Sequence, residues 1–256
     1  MTGTDTNQYA VIIPAYKKCF DADECAAVDA YFKVLTGDMF FVIPQNFDAS
    51  WYEERYKKAH FTRFPDKYFK GTDGYNILML SDGFYAAFAK YEYILIAQPD
   101  AALLSDEDRI PSFIKKGYDY IGAPWEPERN IWEWTFSKKH FGVKCLKKKG
   151  NGIVMGNGGF SLRNIKKCRA LLKEFAWRKL YWYRSEDIFF GVFGPDNRSG
   201  FIPADKKTGR EFSLEYGIKE AVQAGEAPFA VHGWSKEFAD YNEMRSFMEK
   251  HGVHIW

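Results

Sequence analysis

The sequence reads YILIAQPD at residues 93–100, and this stretch decides how the rest of the chain is interpreted. An apolar run is followed by Pro99, which cannot extend a sheet, and then by the carboxylate of Asp100. Apolar residues without polar alternation are typical of a strand that is covered on both faces. The stretch therefore predicts a buried strand that delivers a carboxylate at its end.

Short apolar runs like this one alternate with longer amphipathic segments along the chain. Strands are predicted at 9–14, 39–44, 93–97 and 118–122, and helices at 23–36, 75–90 and 235–251. This alternation predicts an α/β fold with a mostly parallel central sheet flanked by helices. Because no linker-like segment divides the chain, we predict a single domain over 1–256, with 1–8 as a flexible tail.

The composition excludes several classes of protein. Lys and Arg total 36 and Asp and Glu total 34, and this near balance argues against a partner such as nucleic acid. Aromatic residues make up 18% of the chain, which excludes a disordered protein. The apolar runs fall far short of the ~20 residues of a transmembrane segment. The polar start of the chain has no signal-peptide pattern, so we expect a cytoplasmic protein.

The residues that follow each predicted strand are the first candidates for a site, because ligands of parallel sheets bind beyond the carboxyl ends of the strands. Pro14 and Tyr16 follow the first strand, Pro44 ends the second, and Gln98 and Asp100 follow the third. A carboxylate at this place can bind Mg²⁺ or Mn²⁺, which in turn holds a diphosphate. The alternative is that Asp100 only caps the following turn.

Three further segments contain residues that could take part in binding or catalysis. Asn157 lies in GNGG at 156–159, where glycines either let the backbone approach a ligand closely or form a generic turn. Glu186 and Asp187 precede an apolar helical turn, where one acid could be a general base, or both could merely complement the helix dipole. His232 ends an apolar run, which suits either an imidazole that faces a cleft and binds Mn²⁺ or a structural histidine.

A segment rich in lysine and glycine occupies residues 138–152. Solvated lysines and glycines pack poorly into a core, so the segment predicts a mobile surface loop. A more specific hypothesis is a loop that closes over an anionic ligand such as a diphosphate.

Seven short motifs occur in order along nearly the whole chain. They are VIIP at 11–14, GYN at 74–76, QPD at 98–100, YDYIGAPW at 118–125, GNGGFSLR at 156–163, ED at 186–187 and HGW at 232–234. Taken together, they resemble a family of glycosyltransferase-like proteins of bacteria and viruses that is known only as a domain of unknown function. More broadly, the layout is similar to that of the GT-A glycosyltransferases.

The resemblance implies a fold that is related to the Rossmann fold and binds a nucleotide sugar with the help of a divalent cation. GT-A enzymes carry an Asp-x-Asp motif after a central strand, and Asp100 matches its last residue. Asp187 matches the base of inverting members, and His232 matches a late metal ligand. Gln98 stands where a carboxylate is usual, so the implied metal site has one negative charge fewer.

The resemblance also implies roles for residues that are weak candidates on their own. Asp187 with Glu186 would be catalytic, and Asp100 with His232 would hold Mn²⁺ or Mg²⁺. The donor-binding residues would be Pro14, Tyr16, Pro44, Asn76, Gln98, Asp100, Asn157, Gly158 and Gly159. The implied reaction moves a sugar from a nucleotide-diphosphate sugar donor to a hydroxyl of a glycan or glycolipid acceptor. We expect inversion with Asp187 as the base, and a protein that could lie peripherally on the membrane that carries its acceptor.

Two other functions fit parts of the sequence. A catalytically inactive module that binds a nucleotide sugar or a glycan would explain Gln98 and the incomplete metal motif. A sugar-phosphate nucleotidyltransferase uses a similar sheet and metal, but it usually has a glycine-rich loop after the first strand. Here that position reads PAYKK at 14–18, which counts against this alternative.

Overall fold

The computed structural model of the chain describes residues 8–129, 153–176, 185–195 and 197–255. The predicted loop at 138–152 lies outside the described residues, and so does the predicted tail apart from Gln8. In chain order the strands are β1 (Tyr9–Pro14), β2 (Asp38–Pro44), β3 (His60–Phe64), β4 (Tyr93–Ala97), β5 (Ala101–Leu103), β6 (Tyr120–Gly122), β7 (Pro124–Arg129), β8 (Ile153–Met155), β9 (Phe160–Asn164), β10 (Ser213–Leu214) and β11 (Ala230–His232).

Helices connect these strands and cover the sheet. In chain order they are α1 (Ala22–Val34), α2 (Ser50–Arg55), α3 (Gly71–Met79), α4 (Asp82–Ala87), α5 (Ile110–Ile114), α6 (Ile165–Glu174), α7 (Glu186–Phe193), α8 (Lys206–Phe212), α9 (Ile218–Gln223) and α10 (Tyr241–Lys250). Two short 3₁₀ turns lie at Asp66–Phe69 and Trp234–Lys236. In the parts of the chain that the structure describes, no helix is long and apolar enough to cross a membrane.

A six-stranded sheet in the order β3-β2-β1-β4-β9-β6 forms the centre of the fold. β3, β2, β1 and β4 run parallel to one another, whereas β9 runs antiparallel to both β4 and β6. Every residue of β1 and β4 is buried, as their unbroken apolar runs predict. The prediction of a mostly parallel central sheet flanked by helices is confirmed.

A second sheet joins the central one close to the candidate residues. It has the order β10-β11-β5, in which β11 is parallel to β10 and antiparallel to β5. Only three residues, Gln98, Pro99 and Asp100, separate the end of β4 from the start of β5. The chain therefore passes from the central sheet to the second sheet through the residues that the sequence marks as a candidate site.

Two predicted helices differ from the observed ones because polar side chains cap a helix inside the predicted range. The helix predicted at 75–90 is two helices, since the hydroxyl of Ser81 accepts a hydrogen bond from the Phe84 amide and begins α4. The helix predicted at 235–251 begins only at Tyr241, where the Asp240 carboxylate accepts a hydrogen bond from the Glu243 amide at 2.8 Å. Apolar periodicity alone did not reveal these two starts.

Candidate functional site

The pairing of β11 with β5 brings His232 next to Asp100. His232 lies opposite Ala101 in the antiparallel register, and the Gly233 amide donates a hydrogen bond to the Asp100 carbonyl at 3.0 Å. Gly233 adopts a left-handed conformation (φ 59°), which lets the chain turn directly after the strand. As a result, Nε2 of His232 lies 3.3 Å from Oδ1 of Asp100.

Gln98 joins this pair through both its backbone and its side chain. Its amide donates a hydrogen bond to the Gly159 carbonyl at 2.9 Å, and its Oε1 lies 3.2 Å from Nε2 of His232. The buried Tyr31 hydroxyl lies 2.8 Å from the Gln98 carbonyl and 2.6 Å from the Ala101 carbonyl, to which it donates. These contacts hold the backbone between the two sheets in a fixed position.

Asp100 is ionised more easily than an ordinary aspartate. The partial loss of surrounding water would by itself raise the pKa of its carboxyl group. The hydrogen bond to His232 and the charge of that residue outweigh this effect, so the pKa of Asp100 is lowered. The side chain is 53% exposed, so the carboxylate can still be reached by a ligand from solvent.

The donor atoms of Gln98, Asp100 and His232 can be tested for their fit to a divalent cation. An amide oxygen and a carboxylate oxygen each lie within 3.3 Å of the same imidazole nitrogen. Adjacent ligands of an octahedral ion with bonds of ~2.1 Å are about 3 Å apart, so the spacing is suitable. The described residues contain no group of three or more His, Cys, Asp or Glu side chains placed for a metal. Two of the three distances within the set of Gln98, Asp100 and His232 nevertheless suit the ligands of a divalent cation, one of which would be an amide.

An open cleft of about 450 Å³ lies beyond the carboxyl ends of β1 and β4. Its lining includes Pro14, Tyr16, Tyr68, Tyr75, Gln98 and Asp100. Tyr16 is 58% exposed, whereas the hydroxyl of Tyr75 is buried and has no hydrogen-bond partner among the described residues. The cleft thus offers an aromatic surface at its mouth and an unsatisfied polar atom in its wall.

Two consecutive glycines form the other side of the site. A side chain on Gly159 would overlap the imidazole of His232, and one on Gly158 would overlap Oε1 of Glu186. Only glycine therefore allows both close approaches. The sequence analysis expected these glycines to let the backbone approach a ligand closely; the close approaches that the structure shows are to His232 and Glu186.

Glu186 forms a buried ion pair with Arg163, whose guanidinium donates to Oε1 at 3.0 Å. The guanidinium also donates to the Ser161 hydroxyl at 2.9 Å and to the Tyr85 hydroxyl at 3.1 Å. Burial by itself lowers the pKa of Arg163, but the charge of Glu186 outweighs it and the pKa is raised. The second carboxylate oxygen of Glu186 is buried and has no hydrogen-bond partner in the described part of the chain.

The other residues predicted from the sequence differ in which parts of the site they contact. The side-chain oxygen of Asn76 accepts a hydrogen bond from the Glu186 amide at 3.2 Å, at the start of α7. Asp187 is partly buried, and its Oδ1 accepts a hydrogen bond from the Ile188 amide at 2.7 Å. Pro44 ends β2 and is not among the described residues that line the cleft. The same holds for the other predicted residues outside the ends of β1 and β4: Asn76, Asn157, Gly158, Gly159, Glu186, Asp187 and His232.

Glu215 and Lys236 were missed by the sequence analysis. Glu215 is buried and accepts hydrogen bonds from the side-chain amide of Asn157 and from the ammonium group of Lys236. Its Oε1 lies 3.9 Å from Nδ1 of His232. Glu215 directly follows β10, so the rule of inspecting strand ends applies to it, but that strand has only two residues and gives no visible pattern.

Comparison with protein families gives one match that covers most of the chain. A family model described as "Protein of unknown function (DUF5672)" matches residues 58–232. This range includes Gln98, Asp100, Asp187 and His232. No curated protein matches the sequence.

Comparison with solved structures confirms the GT-A glycosyltransferase fold. The galactosyltransferase LgtC, in complex with donor and acceptor sugar analogues, has a TM-score of 0.52 and 15% identity, with 95% of each chain covered. An active-site mutant of LgtC has a TM-score of 0.54 and 15% identity, with 95% of this chain and 96% of that chain covered. The bifunctional glycosyltransferase WbbM in its apo form has a TM-score of 0.51 and 10% identity, with 91% of this chain and 46% of that chain covered.

Proposed function

The chain belongs to the DUF5672 family of proteins of unknown function. We propose that it is a glycosyltransferase. In this proposal it moves a sugar from a nucleotide-diphosphate sugar to a hydroxyl of a glycan or glycolipid acceptor. One observation carries the proposal: Gln98 and Asp100 line a cleft beyond the carboxyl ends of the central strands, and the imidazole of His232 contacts both of them. The structural likeness to LgtC and WbbM supports the fold that such chemistry uses.

The cleft would hold the donor. Exposed Tyr16 and neighbouring Tyr68 offer flat surfaces for a nucleoside, and Pro14 at the end of β1 closes the same wall. Asp100 and His232, with the amide oxygen of Gln98, would hold Mn²⁺ or Mg²⁺. A divalent cation bound there would neutralise negative charge on the departing diphosphate.

Glu186 and Asp187 would have different roles at the acceptor side of the site. Glu186 is buried and paired with Arg163, so its role would be to hold the start of α7, and with it Asp187, in place. Asp187 is less buried and lies in the first turn of α7, where the dipole of the helix favours the ionised carboxylate. We assign Asp187 as the base that takes the proton of the acceptor hydroxyl while that oxygen attacks the anomeric carbon with inversion.

A panel of nucleotide sugars, incubated with the protein, Mn²⁺ and oligosaccharide acceptors, tests this function. We expect release of nucleoside diphosphate and formation of a glycoside of inverted configuration. Asp187→Asn should reduce transfer by about 10²–10⁴-fold without a change in donor affinity. Asp82→Asn is the control, because Asp82 also lies in the first turn of a helix and, like Asp187, is not among the residues that line the cleft, but it pairs with Arg169 at the surface.

Three results would reject parts of the proposal. If the wild-type protein binds a nucleotide sugar but neither hydrolyses nor transfers it, the chain is a binding module, a function that Gln98 in the metal motif favours. If Asp187→Asn retains full transfer activity, Asp187 is not the base. If the product keeps the anomeric configuration of the donor, the inverting mechanism is wrong.

A further inference from the structure

We propose that Glu215 is a positioning residue that, when a cation is bound, keeps the proton of His232 on Nδ1 and so leaves the lone pair of Nε2 for the cation held with Asp100 and Gln98. The inference rests on the proposed function, because it concerns the cation that this function uses. It adds to the site a residue whose carboxylate acts through His232.

The two nitrogens of the His232 ring have different surroundings. Nε2 lies 3.3 Å from Oδ1 of Asp100 and 3.2 Å from Oε1 of Gln98. Nδ1 is buried and has no hydrogen-bond partner among the described residues, and Oε1 of Glu215 lies 3.9 Å from it. One nitrogen therefore faces the candidate ligands, and the other faces a buried carboxylate.

A neutral imidazole has one N–H group and one lone pair, so its environment selects the tautomer. A lone pair on Nδ1 would face the negative Oε1 of Glu215, whereas an N–H group there would be attracted to it. With a cation bound, the lone pair is then left on Nε2, beside the two oxygens of Asp100 and Gln98; without a cation, Nε2 instead donates to Asp100. A cation between these three atoms satisfies all of them. A carboxylate behind a metal-binding histidine is a common way to fix the ring and strengthen its nitrogen as a ligand.

Glu215 is held firmly enough for this role. It is buried, the Asn157 amide group donates to its Oε2, and the Lys236 ammonium group donates to its Oε1. Asn157 is itself fixed, because its side-chain oxygen accepts a hydrogen bond from the Gly159 amide at 3.0 Å. The distance of 3.9 Å between Nδ1 and Oε1 is longer than a hydrogen bond of ~3.2 Å, so the carboxylate acts on the Nδ1 proton by charge attraction in this structure.

A double-mutant cycle on the full chain tests whether Glu215 acts through His232. Mn²⁺ affinity is measured by the electron paramagnetic resonance of free Mn²⁺ for the wild type, Glu215→Ala, His232→Ala and the double variant. We expect Glu215→Ala to weaken Mn²⁺ binding by about 10–100-fold in the wild-type background. In the His232→Ala background the same change should weaken binding less than about twofold.

Nuclear magnetic resonance of the Mg²⁺-loaded protein gives a readout that does not depend on activity. The five histidines are labelled with ¹⁵N, and the His232 signals are assigned by their loss in His232→Gln. We expect a slowly exchanging Nδ1 proton in the wild type and its rapid exchange in Glu215→Ala. Glu215→Gln keeps an acceptor oxygen without the charge, so it should preserve the protected proton and lose less Mn²⁺ affinity than Glu215→Ala.

Lys236→Met is the matched control, because Glu215→Ala also removes the partner of Lys236. It should keep the protected Nδ1 proton and bind Mn²⁺ within about threefold of the wild type. Thermal unfolding of every variant shows whether it is folded, and Glu215→Gln is the conservative variant if Glu215→Ala unfolds.

Several outcomes would overturn the inference. These are an equal loss of Mn²⁺ affinity in both backgrounds, no loss in either, a reproduction of the loss by Lys236→Met, or a wild-type chain that binds no Mn²⁺. In the last case, sugar transfer measured in the presence of a chelator shows separately whether the proposed function stands.

Discussion

Two pairs of charged or imidazole side chains lie next to the consecutive glycines of the site. They differ in how far their side chains are exposed to a ligand. The outer pair, Asp100 and His232, lies beside Gly159, and its aspartate is 53% exposed. The inner pair, Arg163 and Glu186, lies beside Gly158, and its side chains are only 0% and 4% exposed.

The difference separates a group that holds the fold from a group that is available for binding. A buried charge must find its partners within the protein, and Arg163 finds them in Glu186, Ser161 and Tyr85. A half-exposed carboxylate gains little from its partner, because water already solvates it. We therefore expect substitutions of the inner pair to change stability first, and substitutions of the outer pair to change ligand binding first.

Loss of the inner cation should have the largest effect. Arg163→Met leaves the carboxylate of Glu186 buried without a counter-charge, which typically costs about 3–5 kcal/mol of unfolding free energy. Urea unfolding followed by circular dichroism measures the loss. Arg169→Met is the control, because Arg169 pairs with Asp82 at the surface and should contribute under ~1 kcal/mol. Similar losses in both variants would mean that burial does not distinguish the two ion pairs.

Substitutions of the two adjacent glycines test the roles of the two pairs separately. Gly158→Ala pushes a methyl group against Glu186, whereas Gly159→Ala pushes one against His232. Each overlap forces its neighbour to shift, so both variants should lose about 1–3 kcal/mol of unfolding free energy. Only Gly159→Ala should also lose Mn²⁺ affinity, measured by calorimetry on the folded protein. Equal Mn²⁺ affinities in the two variants would contradict the assignment of His232 to the outer pair's cation site.

Removal of the outer carboxylate should affect binding much more than folding. Asp100→Ala is expected to weaken nucleotide-sugar binding in the presence of Mn²⁺ by more than tenfold, which is about 1.4 kcal/mol. The unfolding free energy should change by less than ~1 kcal/mol, because the side chain is half exposed. Titration calorimetry measures the affinity, with Asp106→Ala as a control outside the cleft. Unchanged affinity in Asp100→Ala would remove Asp100 from the donor site.

The outer pair could be predicted from the sequence because its residues stand at the ends of strands. The apolar run before Gln98 marks the end of β4, and a second run marks the end of β11 at His232. The fold class followed from the same runs. Local patterns therefore located both members of the outer pair, although the contact between them depends on the second sheet.

The roles of the inner pair and of Glu215 could not be predicted, because they depend on the directions in which side chains point, which local sequence patterns do not show. Arg163 lies in a quoted motif, but nothing in the motif shows that its side chain turns inward to Glu186. Neighbouring acids of a helix point about 100° apart, and only packing decides which of Glu186 and Asp187 faces the glycines. Glu215 follows a strand too short to produce a pattern.

The smallest expected effect is the pH dependence of the outer pair's contribution to stability. Folding lowers the pKa of Asp100: the loss of water opposes this, and the hydrogen bond to His232 outweighs it. A carboxyl group with a lowered pKa stabilises the fold while it is ionised, at pH above its ordinary value of 3.8, and this contribution is lost as the pH falls through the folded-state value.

Urea unfolding of the wild type and of Asp100→Asn between pH 5 and pH 2 measures this contribution. The difference in unfolding free energy should be below ~1 kcal/mol at pH 5, since Asp100 is half exposed, and should shrink toward zero as the pH falls. Asp106→Asn should show no such trend. If Asp100→Asn is instead more stable than the wild type at pH 5, and this advantage disappears on acidification, the Asp100 carboxylate destabilises the fold, and the outer pair is a strained arrangement held for a ligand rather than a weak ion pair.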